Sequence, residues 1–534
     1  MNPRDALLQA IGANRLELAP RLIFADYLEE TGQFERAELI RLQCQLSANP
    51  DLPFPDRLNR LIRIEQLLDQ HYRRWHIADY PKTDFESYSD FDLYSPRYSG
   101  CPPFRNGSLD TVWLGEVSGN VPHFPQFSRN PFPNEMMRQF TFSRLGIAEK
   151  AWQEYVNFTR FPDGWSDYPD LFLVAIHFDD TAMHLLQRMM PAHRLQRLET
   201  GFVEFETSAR ETFARWLGES AIQRLKMEAQ VNDATLAEYF RYGPFRQLTH
   251  LQLRGSGQLG ELTLRQLIDH GISQRLESLL CARMQCSGAA LRLLANRDDF
   301  PNLRELGFTH CQLNADDLRL LTRRGSFPQL RRLLLDQNRI RDEGFHHLIL
   351  FGHWPHLRHL EIGECGLTEE AFRPLNLADF AESLESIDLL ATDRPTPSNE
   401  TSSSLLRTIA AAELPRLAHL KIGTRSIPDR PWGPILSRIP SLASLNIIWD
   451  APRDQWKPMV FDHLELPQLQ SLQTGSEFSL DWLNQMPPTT ALPQLARLGF
   501  DRYVNDRESE QFRHLSGRPT LSIADIRLGL RHRE

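Results

Sequence analysis

From residue 108 onward, apolar residues recur in one short pattern: apolar, two residues, apolar, one residue, apolar, commonly with a proline two residues ahead. Behind Pro301 it places Leu303, Leu306 and Phe308; behind Pro328, Leu330, Leu333 and Leu335; behind Pro355, Leu357, Leu360 and Ile362. The leading positions Leu276, Leu303, Leu330, Leu357 and Leu384 stand 27 residues apart. Further units lead at Leu417, Leu442, Leu469 and Leu495, and upstream at Leu171, Leu195, Ile222 and Leu248. Weaker ones lead at Leu109 and Met137, and a frayed last one lies near Leu521. Apolar side chains two apart predict a strand with one buried face. Asn314 and Thr368, each followed by acids, then predict helix starts. One strand and one helix per unit, about fifteen times over residues 108–520, is the expectation.

No such layer buries its faces alone, so neighbours must stack into a continuous core. Cys311, Asn338 and Cys365 share one offset after the strand, where a side chain can hydrogen-bond backbone between layers. Cys311 and Cys365 are two layers apart, roughly 10 Å at normal strand spacing. That is beyond the reach of about 7 Å for a disulfide. We expect ladder residues, not a bridge.

Residues 5–46 show a different, helical spacing: Leu22, Ile23, Ala25, Tyr27 and Leu28, then Ala37, Ile40 and Leu42. Pro20 suits a first turn and Gly32 a helix end, while a third helix is expected over about 56–75.

The repeat residues resemble the leucine-rich repeat, in its long ribonuclease-inhibitor-like class. The segment before them is similar to the bacterial, planctomycete-type repeat-companion domain. Pro20, Arg21, Leu22, Asp26, Tyr27, Glu29, Arg36, Glu38, Arg41 and Trp75 carry that likeness, which continues through Phe104–Gly107. It implies an architecture and a bacterial source, and no reaction. The expected fold class is α/β: a leucine-rich-repeat solenoid, its curved parallel sheet backed by helices, preceded by a small all-α module. The expected division is a helical module at 1–75, an acidic-aromatic linker or N-terminal cap at 76–107, and the solenoid at 108–534. Arg21, Asp26, Glu38 and Arg41 are read as pairs tying the module's helices together, with partner docking as the other reading.

Composition narrows the function classes. Sixty Lys and Arg against 69 Asp and Glu leave a net charge of −9, the wrong sign for a general nucleic-acid binder. Six cysteines in 534 residues suit a reducing compartment. No apolar run of about 18 residues is present, and the first residues lack a signal-like pattern, so a cytoplasmic protein without a membrane span is expected. Of 35 prolines, nine stand two residues before the leading position of a unit, where a missing N–H is tolerated. Others crowd 50–55, 81–133 and 391–397, and the insertion at 392–404 is read as an exposed loop.

Gly255, Gly257 and Gly260 match a dinucleotide fingerprint between a strand and a helix. The strand, however, is one rung of the repeat, so a nucleotide site there is the minor alternative. His346, His347, His353, His356 and His359 cluster in sequence but map around one layer, not onto a shared metal. Cys281 and Cys286 occupy core positions. No cofactor, metal or catalytic set is expected, and an enzyme is disfavoured.

The concave strand face remains. One outward row holds Arg197, Arg224, His250, Ser278, Glu305, Arg332, His359, Ser386, His419, Ser444 and Arg497. The next holds Glu199, Lys226, Gln252, Leu280, Gly307, Leu334, Glu361, Asp388, Lys421 and Asn446. A polar, charged face, together with the N-terminal loops as an acidic-aromatic contact surface, suits recognition of a protein partner, with Arg224, His250, Arg332, His359, Glu361, Asp388, His419 and Lys421 as candidate contacts. The competing reading is a solvated face whose charges pair between adjacent strands. An adaptor, whose helical module recruits an effector while the repeats select a target, is the functional alternative.

Overall fold

The computed structural model describes a few residues of 3–10, residues 18–49 and 52–79, and short strands between 104 and 143. With brief gaps it then describes 170–389, 401–424, 431–449, 463–474, 490–500 and 521–525. Most of the acidic-aromatic segment, the proline-rich stretch 121–133 and the insertion up to residue 400 lie outside these residues.

Sixteen strands form one sheet in sequence order, from Thr111–Trp113 to Ser522–Asp525, every neighbouring pair parallel. The chain is therefore an α/β leucine-rich-repeat solenoid, with a helical module before it. Its register is the repeat itself: Leu198, Leu225, Leu251, Leu279, Leu306, Leu333 and Leu360 stand opposite one another. All of them are buried in one core cluster that runs to Leu521.

One unit is displaced from the sequence expectation. Leu171 pairs with Leu198, the second apolar position of its unit and not the first. That repeat therefore leads at position 168, which is 27 residues before Leu195, and Pro169 stands one residue after the lead. The pair Leu171 and Leu173 imitates the strand motif at the wrong phase, because side-chain alternation alone does not fix its start.

Four successive middle strands end in a tight turn of constant geometry. Arg283, His310, Gln337 and Glu364, seven residues after successive leading positions, all adopt left-handed φ of 56°, 56°, 58° and 52°. The following side chain braces the turn. Asn338 accepts from the Cys311 and Leu313 amides at 3.0 Å each and donates to the Phe308 and Leu335 carbonyls at 2.5 and 2.7 Å. Cys311 and Cys365 each make one thiol donation to the previous layer, to Cys281 and Leu335 carbonyls at 3.3 and 3.0 Å. Both are free thiols.

The helix caps follow the sequence. Asn314 accepts from the Asp316 and Asp317 amides while the Asp317 carboxylate accepts from Asn314 N–H, a full capping box.

The module comprises α1 (Ala19–Glu30), α2 (Phe34–Ala48) and α3 (Phe54–Asp79). Phe24, Ala25, Leu28, Ala37, Ile40 and Cys44 close α1 on α2, and Leu39 meets Ile64 and Leu67 of α3. Arg41 holds Asp26 and Glu29 at 2.7 and 2.5 Å, and Arg63 holds Glu38 at 2.7 Å, so these charges do tie helices together. Past Glu30 the chain turns at Gly32 with φ of 79°, as a helix end requires.

The module does not stand apart. A second stripe of α3, Phe54, Leu58 and Ile62, packs with Ala418 and Ala443, and Ala496 borders the same cluster. Helix α3 thus lies on the later strands of the solenoid.

Candidate functional site

Because every strand is parallel and in register, the outward positions form straight rows across the concave face. The first row runs Arg197, Arg224, His250, Ser278, Glu305, Arg332, His359, Ser386, His419, Ser444, Ser471 and Arg497. Neighbours in it are roughly 4.8 Å apart, close enough for side chains to interact. The face divides into three zones.

At the early repeats there is an open depression of about 180 Å³. Arg197, Arg224, Lys226 and His250 line it, with Leu280 and Glu305 on its far side. Arg224 is exposed and His250 half-buried. Burial, and then the Arg224 guanidinium, push the His250 pKa down, so the imidazole is neutral at pH 7. Thr249 Oγ1 lies 2.8 Å from its Nδ1.

The middle zone pairs its own charges. Arg332 Nη1 reaches Glu305 at 2.8 Å and its Nη2 reaches Glu361 at 2.7 Å, while Ser278 donates to Glu305 at 2.6 Å. Leu280 and Leu334 close over Gly307, where an added Cβ would lie 2.7 Å from Leu280 Cδ2. Beyond them, Lys421 Nζ holds Asp388 at 2.7 Å. Asp336, whose carboxylate accepts from Gly363 N–H at 2.7 Å, is pushed up to about 7 by burial and by Glu361 and Asp388.

The late zone is covered. Asp388, His419 and Lys421 keep only 7%, 5% and 8% of their surface, against the expectation that outward positions would be exposed. The physical reasons are specific. Lys421 and Asp388 spend their charges on each other, and the Phe54 ring lies 5.2 Å from the His419 ring. His419 Nδ1 also contacts Ser444 Oγ at 3.0 Å. Phe54 N–H donates to Glu385 at 3.2 Å. Of the eight sequence candidates, Arg224 and His250 therefore share the open depression. Arg332 and Glu361 form an ion pair across adjacent strands, with half-buried His359 opposite Arg332 on Glu361's own strand, and the last three lie in the buried half.

Sequence reasoning missed the alanines beneath α3. The row just ahead of the first runs Gln196, Gln223, Thr249, Glu277, Arg304, Arg331, Arg358 and Glu385, each amide bonded to the carbonyl before it, and then Ala418, Ala443, Gln470 and Ala496. The change from long polar side chains to alanine was the available signal.

The remaining candidates resolve locally. The amides of Gly260, Leu262 and Thr263 all donate to the Asp233 carboxylate at 3.0 Å. The helix start that would cradle a phosphate is filled by the chain's own anion, and a Cβ on Gly260 would sit 2.2 Å from Asp233 Oδ2. That glycine leaves room for the Asp233 carboxylate, which stands at the start of the preceding helix. His346 meets the Glu370 carbonyl, His347 meets Arg319, and His353 meets Asp379, so the histidine cluster is dispersed around its layer. Among the described residues no group of three or more His, Cys, Asp or Glu could hold a metal, and no helix is long and apolar enough to cross a membrane.

No family model and no curated protein sequence matches the chain. Among solved structures it is similar to that of the Rad7 and Elc1 complex in yeast, at 18% identity and a TM-score of 0.40, covering 65% of this chain and 84% of that one. It is also similar to the TLR13–ssRNA13 complex, at 14% identity and a TM-score of 0.35, covering 68% of this chain and 48% of that one. At such superposition the architecture rests on the chain's own register: sixteen in-phase parallel strands make it a leucine-rich-repeat solenoid carrying a helical module on its concave side.

Proposed function

We propose that the chain is a non-enzymatic interaction scaffold that binds a protein partner through the early half of its concave face. One observation carries this reading: the open depression of Arg197, Arg224, Lys226 and His250 lies on the half that α3 leaves uncovered. Charged rims of this kind steer association and set partner choice. Arg332, His359 and Glu361 form the far margin of the surface, and Asp388, His419 and Lys421 serve the interior. The division at 1–75, 76–107 and 108–534 belongs to the same reading, as do the likeness of the module to a repeat-companion domain and a cytoplasmic setting.

The test compares immobilised wild type with R224E/K226E in capture from the native source, at rising salt. A partner retained by wild type and lost by the variant is expected. Identical capture by both proteins would remove the early half from the binding surface.

The adaptor reading has its own support. With α3 committed to the solenoid, the module still exposes Leu22, Ile23, Phe34 and Leu61, the last three at 56%, 60% and 41%. Capture of a second partner that is lost in I23D/F34D, but kept in R224E/K226E, would favour it.

A further inference from the structure

The late half of the concave face carries more information than its burial alone. Three of its elements would suit any amphipathic helix. The alanine row of Ala418, Ala443 and Ala496 removes side chains where the preceding repeats carry glutamine, glutamate and arginine, so a helix can approach closely. Helix α3 presents Phe54, Leu58 and Ile62 to it, an i, i+4, i+8 stripe on one face. At the end of this strip the Glu385 carboxylate takes the Phe54 amide, a group every helix start offers.

Two further observations mark α3 as an imperfect fit. Under the covered half, Asn446 Oδ1, Gln470 Oε1 and Ser471 Oγ are buried without a hydrogen-bond partner among the described residues, on residues that keep 1%, 8% and 0% of their surface. Such orphans weaken a docked state relative to an undocked one, in which water satisfies them. Arg57 of α3 is exposed, makes no ion pair among the described residues and is set against the like charge of Arg332.

We propose that the late concave half is a helix-binding groove, that α3 is its resident ligand, and that a partner's amphipathic helix exchanges with it. The favoured partner helix carries bulky apolar residues at i, i+4 and i+8, a hydrogen-bonding side chain over Asn446 and Ser471, and no cation at the place of Arg57. The inference rests on the scaffold reading but concerns the opposite half of the face. Binding then opens that half, and the surface available to partners doubles in length.

The probe is a labelled peptide of residues 52–72, cross-linked on its solvent side to hold it helical and titrated against the full chain. Leu58→Asp in the full chain releases the resident helix, so it should bind the probe at least ten-fold more tightly than wild type. Ala443→Arg on that background should abolish binding, and a probe carrying F54D/L58D should not bind. N446L/S471A, which removes two of the three orphans, should seat the resident helix more firmly and weaken probe binding relative to wild type. Where L58D loses its thermal transition, Phe54→Ala takes its place with the same expected order. Equal binding to wild type and the released variant, or binding indifferent to Ala443→Arg, overturns the groove. Concentration-dependent dimers of wild type that exchange α3 assign the groove to a second copy and overturn the partner helix. R224E/K226E should bind the probe as wild type does, which separates this result from failure of the early-face reading.

Discussion

The Phe54 ring rests against the His419 imidazole, 5.2 Å between ring centres and tilted by 39°. Through that contact α3 and the twelfth strand of the sheet share one small apolar cluster. Phe54 keeps 6% of its surface, so Phe54→Ala should weaken docking of the module by about 3 kcal/mol, the low end for a buried phenylalanine. The loss belongs to the interface and not to the solenoid. Limited proteolysis should cut residues 18–79 faster, with the solenoid's thermal transition little changed. Equal loss in both would mean that the module and repeats unfold as one unit.

Asn338 predicts a different kind of loss. Its side chain satisfies four backbone groups across two layers and keeps 4% of its surface. Asn338→Ala strands them, at a cost on the order of 3 kcal/mol or more. Asn338→Cys should recover part of that, because Cys311 and Cys365 make a thiol donation at the equivalent place. Denaturant midpoints of the three proteins should fall in the order Asn, Cys, Ala. If cysteine and alanine coincide, the thiol bonds contribute nothing.

Asp233 and Gly260 should behave as a coupled pair. Asp233→Ala leaves three helix-start amides without their acceptor, a loss of about 1–2 kcal/mol. Gly260→Ala drives a Cβ into the same carboxylate. Removing the carboxylate relieves part of that clash, so the double variant should lose less than the sum of the two single losses. Additive losses would place the strain of Gly260→Ala elsewhere, against the surrounding backbone.

The repeat was legible because burying one strand face forces a two-residue alternation, and stacking forces a constant length. Leu303, Leu330 and Leu357 satisfy both constraints at once. Leu171 satisfied only the first, which is why its phase was misread. The concave rows were legible for the same geometric reason. Their exposure was not, because a row of outward positions says nothing about what lies on top of it. Whether His419 faces water or Phe54 depends on a contact between distant parts of the chain, and no local spacing encodes it. The nearest trace is compositional: Arg304, Arg331 and Arg358 give way to Ala418 and Ala443 at equivalent places. Gly255, Gly257 and Gly260 mislead in the opposite way, since a short motif fixes a turn but not the occupant of the turn, which here is Asp233.

Asp336 sets the expected pH dependence. Burial, with Glu361 and Asp388 nearby, raises its folded-state pKa to about 7, and the Lys421 ammonium and the Gly363 amide only partly offset this. In the unfolded chain the group titrates near the ordinary aspartate value of about 3.9. A raised carboxylate pKa means that the folded state binds the proton more tightly than the unfolded state does. Its contribution is therefore complete below about pH 4 and is lost as pH rises toward 7. Asp336→Asn keeps an acceptor for the Gly363 amide and removes the titration. The variant should melt higher than wild type at pH 8 and close to it at pH 4, with the gap opening between those values. Thermal unfolding across that range measures it directly. Parallel wild-type and variant curves would mean that Asp336 ionises as an ordinary surface carboxylate, and that Lys421 neutralises it together with Asp388.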